Sequence, residues 1–200
     1  RRVKPVSTEG YNGTPFGLYS DPAGQQQELI ARMISNVRTS LPVRVEAVTN
    51  AGGVSPIGRV DIRPLVGQLD GRGKHVGHGV IYNVPYLRIQ GGASAVILDP
   101  KVGDVGIAIF CDRDISAVKG SKKAAPPGSA RKHDMSDAIY LHSIVSAAPT
   151  QYIAFSAGGI TIKSPNGVTI DAPSVTITGA SLTHNGQNVG SSHVHTSVSP

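Results

Sequence analysis

The sequence predicts a mainly β protein with an N-terminal arm and helix, an OB-type Greek-key barrel, and a C-terminal repeat of very short strands intertwined as a β-prism. Three observations lead there. With 24 Gly and 14 Pro among 200 residues, turns are favoured over long helices, and 4% aromatic residues with no Trp exclude a helical bundle and disfavour a large-cored enzyme. Between residues 43 and 116, short stretches alternate apolar and polar side chains at the two-residue period of a strand. After residue 159, an apolar–Thr–apolar triplet recurs every seven or eight residues. No run approaches the roughly 18 apolar residues of a membrane span.

Residues 1–40 hold the arm and one helix. Asp21 is placed to cap the helix, Pro22 suits its first position, and Leu29, Ile30, Met33, Ile34 and Val37 recur at helical spacing. Pro42 closes the region. Residues 1–20 carry scattered aromatics and glycines and read as an extended arm.

Residues 41–118 read as the barrel. Val43, Val45 and Ala47 alternate with Arg44, Glu46 and Val48, and Arg59-Val-Asp-Ile-Arg63 alternates again. A loop rich in Gly and His spans Gly67 to Gly79. Strands over Val80–Gln90, Ser94–Leu98 and Asp104–Phe110 follow, with a Gly91-Gly92 turn between the first two. The sole cysteine, Cys111, excludes an intrachain disulfide and a Cys-rich zinc site, and ends an apolar run where a buried, inert thiol is expected.

The formal charge is +6, and Lys163 and Asp171 are the only charged residues from 151 onward, so the whole excess belongs to the first 150 residues. Much of it lies in Lys119-Gly-Ser-Lys-Lys-Ala-Ala-Pro-Pro-Gly-Ser-Ala-Arg-Lys132. That stretch lacks apolar periodicity, so 119–150 reads as a basic linker and transition. Single-strand nucleic-acid binding is the competing use of the charge. It calls for stacking aromatics, and the barrel offers only Tyr82, Tyr86 and Phe110.

Residues 151–190 hold the repeat. Ile160-Thr-Ile162, Val168-Thr-Ile170, Val175-Thr-Ile177 and Leu182-Thr-His184 are separated by turn sequences: Ser164-Pro-Asn-Gly167, Asp171-Ala-Pro-Ser174 and Thr178-Gly-Ala-Ser181. In each triplet the outer two side chains point one way and Thr the other. One narrow ribbon leaves strand edges open and buries too little apolar surface to order itself. Identical copies supply both edges and core, and three faces suit three-residue strands, so a homotrimer is expected.

Residues 191–200 form the expected apex. His193 and His195 project to one side of an extended segment. Two imidazoles are too few for a site within one chain, but three copies bring six, an octahedral set that suits iron(II), cobalt or nickel better than zinc. A flexible polar tail, or a remnant of a purification tag, is the other reading of the same residues. His75 and His78, in the glycine-rich loop, read as exposed rather than metal-ligating. His184 is expected on the prism wall or as a polar layer inside it, and His133 and His142 have no evident partners.

The order of these parts resembles the central spike proteins of contractile phage tails. Val84-Pro85, Gly91-Gly92 and Pro100-Lys-Val-Gly-Asp104 continuing through Phe110 to Ile115 look like the OB-domain signature of the Gp138-type spike family. The Val/Ile-Thr-Ile repeat is similar to that family's trimeric β-helix, and Asn185-Gly-Gln-Asn-Val189 followed by His193-Val-His195 resembles its apex. The resemblance spans roughly residues 40–200. It implies a virion protein at the tip of the tail baseplate, a homotrimer with its OB domains docked on the tail hub and its rod directed at the host outer membrane. It also implies one iron(II) ion per trimer, held by His193 and His195 of three chains. Mechanical piercing during sheath contraction is the function implied, with no catalysis and no specific nucleic acid.

Three alternatives stand beside it. An enzyme is disfavoured because Gly-X-Ser-X-Gly, His-Glu-X-X-His and a phosphate loop are all missing. A nucleic-acid-binding OB module would use the positive charge. A receptor-binding tail fibre would share the β-prism, although such fibres usually end in a larger head.

Overall fold

A computed structural model describes residues 22–35, 37–50 and 52–190. The chain divides into two compact units, one running to Ala147 and the other starting at Ala148. The protein is mainly β, with several antiparallel sheets and little helix.

In the first unit, α1 (Pro22–Ser35) precedes β1 (Ser40–Val48), β2 (Arg59–Pro64), β3 (Gln68–Leu69), β4 (His75–Val76), β5 (Ile81–Pro85), β6 (Ile89–Gly91), β7 (Ser94–Val96) and β8 (Val105–Phe110). Then come α2 (Ser116–Ser121), a short 3-10 turn at Met135–Asp137, and β9 (Ala138–Val145). The principal sheet has the order β5-β2-β1-β8-β9, with every neighbour antiparallel. Its two outer strands meet. Tyr86, just past β5, bridges Tyr140 of β9 in parallel, and the Leu87 N–H donates to the Tyr140 carbonyl at 2.9 Å. The sheet therefore curls round on itself and brings its two outer edges together at this bridge.

Alternation places the core. Val43 and Val45 of β1, Val60 and Ile62 of β2, Val84 of β5 with Tyr86, Ala108 and Phe110 of β8, and Ala138 and Tyr140 of β9 form one buried cluster. Each strand contributes residues two apart, as side chains pointing to one face of a pleated strand must. Gly106, the first inward position of β8 and in phase with Ala108 and Phe110, sits where the β8–β9 register shifts. A Cβ there would lie 2.5 Å from Cε2 and Oη of Tyr140 and 2.7 Å from the Leu141 carbonyl oxygen. The tyrosine ring occupies the space the glycine leaves.

Two sequence expectations change. Ser94–Leu98 is not a strand of the main sheet: β7 folds back on β6 as a local hairpin, Ile89 opposite Val96, through a turn in which Gly92 has φ 57°. The outer strand next to β8 is β9, within residues 119–150 that the sequence presents as linker. Its inward pair Ala138 and Tyr140 is flanked by Asp137 and His142, and the proline-, glycine- and lysine-rich stretch before it masks the alternation. Residues 116–137 are thus an excursion between two neighbouring strands rather than a connection between units.

The second unit contains β10 (Tyr152–Ser156), β11 (Gly159–Lys163), β12 (Thr183–His184) and β13 (Gln187–Asn188). The pairs β10–β11 and β12–β13 are antiparallel hairpins. Asn185 and Gly186, with φ 49° and 79°, make the turn of the second, where two positive φ values match the twist of a tight hairpin. The first expected triplet lies in β11 and the last overlaps β12, but Val168–Ile170 and Val175–Ile177 pair with no strand among the described residues. A single chain does not form the expected β-helix. No residue from 148 to 190 is buried. No helix among the described residues is long and apolar enough to cross a membrane.

Candidate assembly surfaces

The second unit presents an apolar face without a core behind it. In the β10–β11 hairpin, Ile153 lies opposite Ile162 and Phe155 opposite Ile160, so the four share one face. Phe155 is 78% exposed and Ile162 60% exposed. The face continues in sequence through Val168, Ile170, Val175 and Ile177, all more than half exposed. On the other face of the hairpin, Lys163 Nζ stands 5.9 Å from the centre of the Tyr152 ring. Exposed apolar residues at this regular spacing make the segment a candidate association surface.

The first unit is held by two carboxylate-centred clusters that sequence reading does not single out. Asp99 Oδ1 accepts from the Tyr86 hydroxyl at 2.7 Å and from Arg88 Nη2 at 2.8 Å, while Oδ2 accepts from the Gly53 N–H at 3.0 Å. Arg88, with its side chain 4% exposed, also donates to the Ser55 carbonyl at 2.8 Å. This ties Gly53 and Ser55 to the base of the β6–β7 hairpin. Tyr86 first, then the Arg88 guanidinium, lowers the Asp99 pKa against the opposing effect of burial. The signal in the sequence was parity: Arg88 follows Tyr86 by two residues and so faces inward.

The second cluster closes the neck of the 116–132 excursion. Asp114 Oδ1 accepts from the Ser116 N–H at 2.9 Å, and Oδ2 accepts from the Ser129 hydroxyl at 2.6 Å. Arg131 reaches both Asp114 (2.9 Å) and Asp137 (3.3 Å), whose side chains are 2% and 1% exposed. Asp137 also accepts from the Ile115 N–H at 3.1 Å. Hydrogen bonds from Ser116 and then Ser129, with the Arg131 charge behind them, hold the Asp114 pKa at about 2. At Gly128 a Cβ would come within 2.2 Å of the Ser116 hydroxyl.

The histidines fall in different places. His193 and His195 lie outside the described residues, as does Asp21. His75 is exposed in β4, its ring filling the space beside Gly67, and the carbonyl of half-buried His78 accepts from Arg63 at 3.3 Å. His184 is exposed in β12, and His133 Nδ1 stands 3.2 Å from the Arg38 carbonyl oxygen. His142 meets Tyr140 edge-on, ring centres 6.5 Å apart, beside an open groove of about 330 Å³ that Asp99 and Asp104 also line. Both carboxylates are engaged, Asp99 as above and Asp104 by the Lys101 N–H at 2.8 Å. No group of three or more His, Cys, Asp or Glu suited to a metal ion occurs among the described residues. Cys111 is half-buried, and desolvation, helped by the Asp137 and Asp112 charges, pushes its thiol pKa up. Of the barrel aromatics, Tyr86 and Phe110 are in the core, which leaves Tyr82, 69% exposed, for stacking.

The first unit is thus a curled five-stranded sheet with its own core, and the second carries an apolar repeat with no buried residue between 148 and 190. Residues 55–143 match the family described as the phage protein Gp138 N-terminal domain. This supports a structural, baseplate-related phage protein and hence a virion component. The matched stretch takes in β2, β5, β8 and most of β9, so residues 119–137 fall inside the domain. No curated protein matches the chain.

Proposed function

We propose that this chain is the central spike of a contractile phage tail. The first unit is read as an OB-type barrel that docks on the tail hub. The second is read as one strand system of an intertwined trimeric β-helix, directed at the host outer membrane and driven through it by sheath contraction. The observation that carries this reading is the exposed Ile/Val-Thr-Ile repeat, with no buried residue between 148 and 190, behind a phage-type domain. A chain that exposes this much regularly spaced apolar surface needs partners with the same spacing, and copies of itself provide them in register.

Closure of the tip by iron(II) rests on the donor set alone, His193 and His195 from three chains. When bound, the ion would cross-link three chain ends and oppose fraying there. The protein's contribution is mechanical, without a chemical step. An interwoven rod unfolds only by separating strands along its length, which confers kinetic resistance to force.

The test combines solution mass with metal analysis of the purified full-length chain. The expected result is a trimer carrying one iron, with iron lost in a His193→Ala/His195→Ala variant. A monomer at micromolar concentration, or iron retained by the double variant, overturns the reading.

A further inference from the structure

The excursion between α2 and the 3-10 turn has a second property, its charge. From Ile115 to His133 there is no acidic residue, while Lys119, Lys122, Lys123, Arg131 and Lys132 are basic. Two of these are engaged internally: Arg131 in the Asp114–Asp137 neck, and half-buried Lys119, whose Nζ lies 3.5 Å from the Ser136 carbonyl oxygen. Lys122, Lys123 and Lys132 are exposed, and none of their ammonium groups forms an ion pair among the described residues.

The carboxylates of the first unit are directed elsewhere. Glu46 lies between Arg44 and Arg63, and Asp61 accepts from the Asn83 N–H. Asp70 holds its own turn through Arg72 and Lys74, and Asp134 caps Ser136. Asp99, Asp104, Asp114 and Asp137 are engaged as described above. Most of the acidic groups thus serve the fold, and three lysines on one loop carry uncompensated charge.

The loop is also shaped. Its neck is closed by Asp114, Ser129 and Arg131, Gly128 packs against Ser116, and Pro126-Pro127 stiffens the return. Lys122 ends α2 in the left-handed region at φ 55°, and its N–H bonds to the Val118 carbonyl at 2.9 Å. A compact surface loop whose ends meet is a common place for function.

We propose that this loop is a preorganised docking surface for an acidic protein surface, contacted through Lys122, Lys123 and Lys132. The loop contains no Phe, Tyr or Trp, so it lacks the stacking groups of a single-strand binder, and lysines act as point charges suited to carboxylates. That the partner is a protein rests on the structural-component reading above. The charge and the neck do not depend on it.

The experiment uses the full chain with two probes of equal charge, poly-L-glutamate and an oligothymidylate, at about 50 and about 200 mM salt. The variant Lys122→Gln/Lys123→Gln/Lys132→Gln is expected to weaken poly-L-glutamate binding by about tenfold or more, and Lys→Arg replacements to preserve it. Asp114→Asn and Ser129→Ala keep all three lysines but loosen the neck. Asp114→Asn even removes a negative charge, so diffuse attraction predicts tighter binding, whereas a preorganised surface predicts weaker binding. Circular dichroism and solution mass establish that each variant retains its fold and assembly. Unchanged binding in the Gln variant, tighter binding in Asp114→Asn, or stronger capture of oligothymidylate than of poly-L-glutamate overturns the proposal. Solution mass alone bears on the trimer, so the two readings fail separately.

Discussion

Replacing Gly106 with alanine tests whether residues 138–145 belong to the barrel. The added Cβ would meet two atoms of Tyr140 at 2.5 Å and the Leu141 carbonyl oxygen at 2.7 Å. The ring has little freedom, because Tyr140 is fully buried and bridges Tyr86. The carbonyl belongs to the backbone of β9, where Leu141 pairs with Ile107. Overpacking a tight site costs typically about 1–3 kcal/mol, and a backbone obstruction places this variant in the upper half. A loss of about 2 kcal/mol corresponds to roughly 10 °C in Tm for a domain of this size. Gly71→Ala is the control: its Cβ meets nothing within 4 Å and its φ is ordinary, so its effect stays within about 0.5 kcal/mol. Urea titration followed by tyrosine emission suits a chain with six Tyr and no Trp, at one fixed protein concentration because assembly shifts apparent stability. In a Tyr140→Leu background the ring atoms are removed and Gly106→Ala costs less, a coupling that a double-mutant cycle measures. A Gly106→Ala midpoint equal to that of Gly71→Ala would show that β9 does not pack on β8, and the curled sheet would have to be abandoned.

Three further outcomes are expected. Ile160→Asp/Ile162→Asp places charge on the shared apolar face of the β10–β11 hairpin; analytical ultracentrifugation should show loss of the assembled species while the far-UV signal of the first unit persists. Asp114 has a folded-state pKa held near 2, below the roughly 3.9 of an unfolded aspartate. Its contribution is therefore complete above the unfolded value and lost as pH falls through about 2. Asp114→Asn should flatten that acid limb of the stability curve, and an unchanged limb would remove Asp114 from the neck. Asp99→Ala leaves the buried Arg88 guanidinium without its counter-ion and should lower the urea midpoint more than alanine at exposed Asp112, whose partner Arg113 lies 3.8 Å away in solvent. Equal midpoints would show that Gly53 and Ser55 do not depend on Asp99.

The four strands with a clean two-residue period were legible because one face of each meets the core: Val43 and Val45, Val60 and Ile62, Val84 with Tyr86, Ala108 and Phe110. The fifth was not. In β9 the inward positions are a small Ala138 and an amphipathic Tyr140, the intervening Ile139 and Leu141 are only half-buried, and no stretch of alternation stands out from the basic residues ahead of it. Ser94–Leu98 has better strand propensity, yet a two-residue Gly92-Ala93 turn pairs it with β6, Gly91 opposite Ser94, and so short a turn closes a hairpin at smaller entropic cost than a long-range pairing. Polar clusters are harder still to read. Asp114, Arg131 and Asp137 come together only because the excursion folds back on its own base, and spacing in the sequence does not encode that return. The repeat was legible as a period, but its strands pair only partly: Val168–Ile170 and Val175–Ile177 have no strand partner among the described residues.

That contrast separates the two units by what each needs. The first curls its sheet round, buries ten of its described hydrophobic residues around one centre, and engages most of its described carboxylates in hydrogen bonds or ion pairs that tie strands and loops. Its remaining charge is mainly on the surface, where it steers association without holding the fold. The second has one Lys and one Asp and no buried residue among those described, so neither charge nor a core of its own determines its conformation. Among the described residues, backbone along 164–181 outside any strand, and apolar side chains that are more than half exposed, constitute the same deficit seen from the main chain and from the side chains. A partner that corrected only one of them, such as a lipid surface covering the apolar residues, would leave the main chain unpaired in a medium where unpaired backbone costs most. Strands of the same spacing from other chains would meet both needs at once, so these two deficits favour the proposed trimer over a lipid surface as the partner of the repeat.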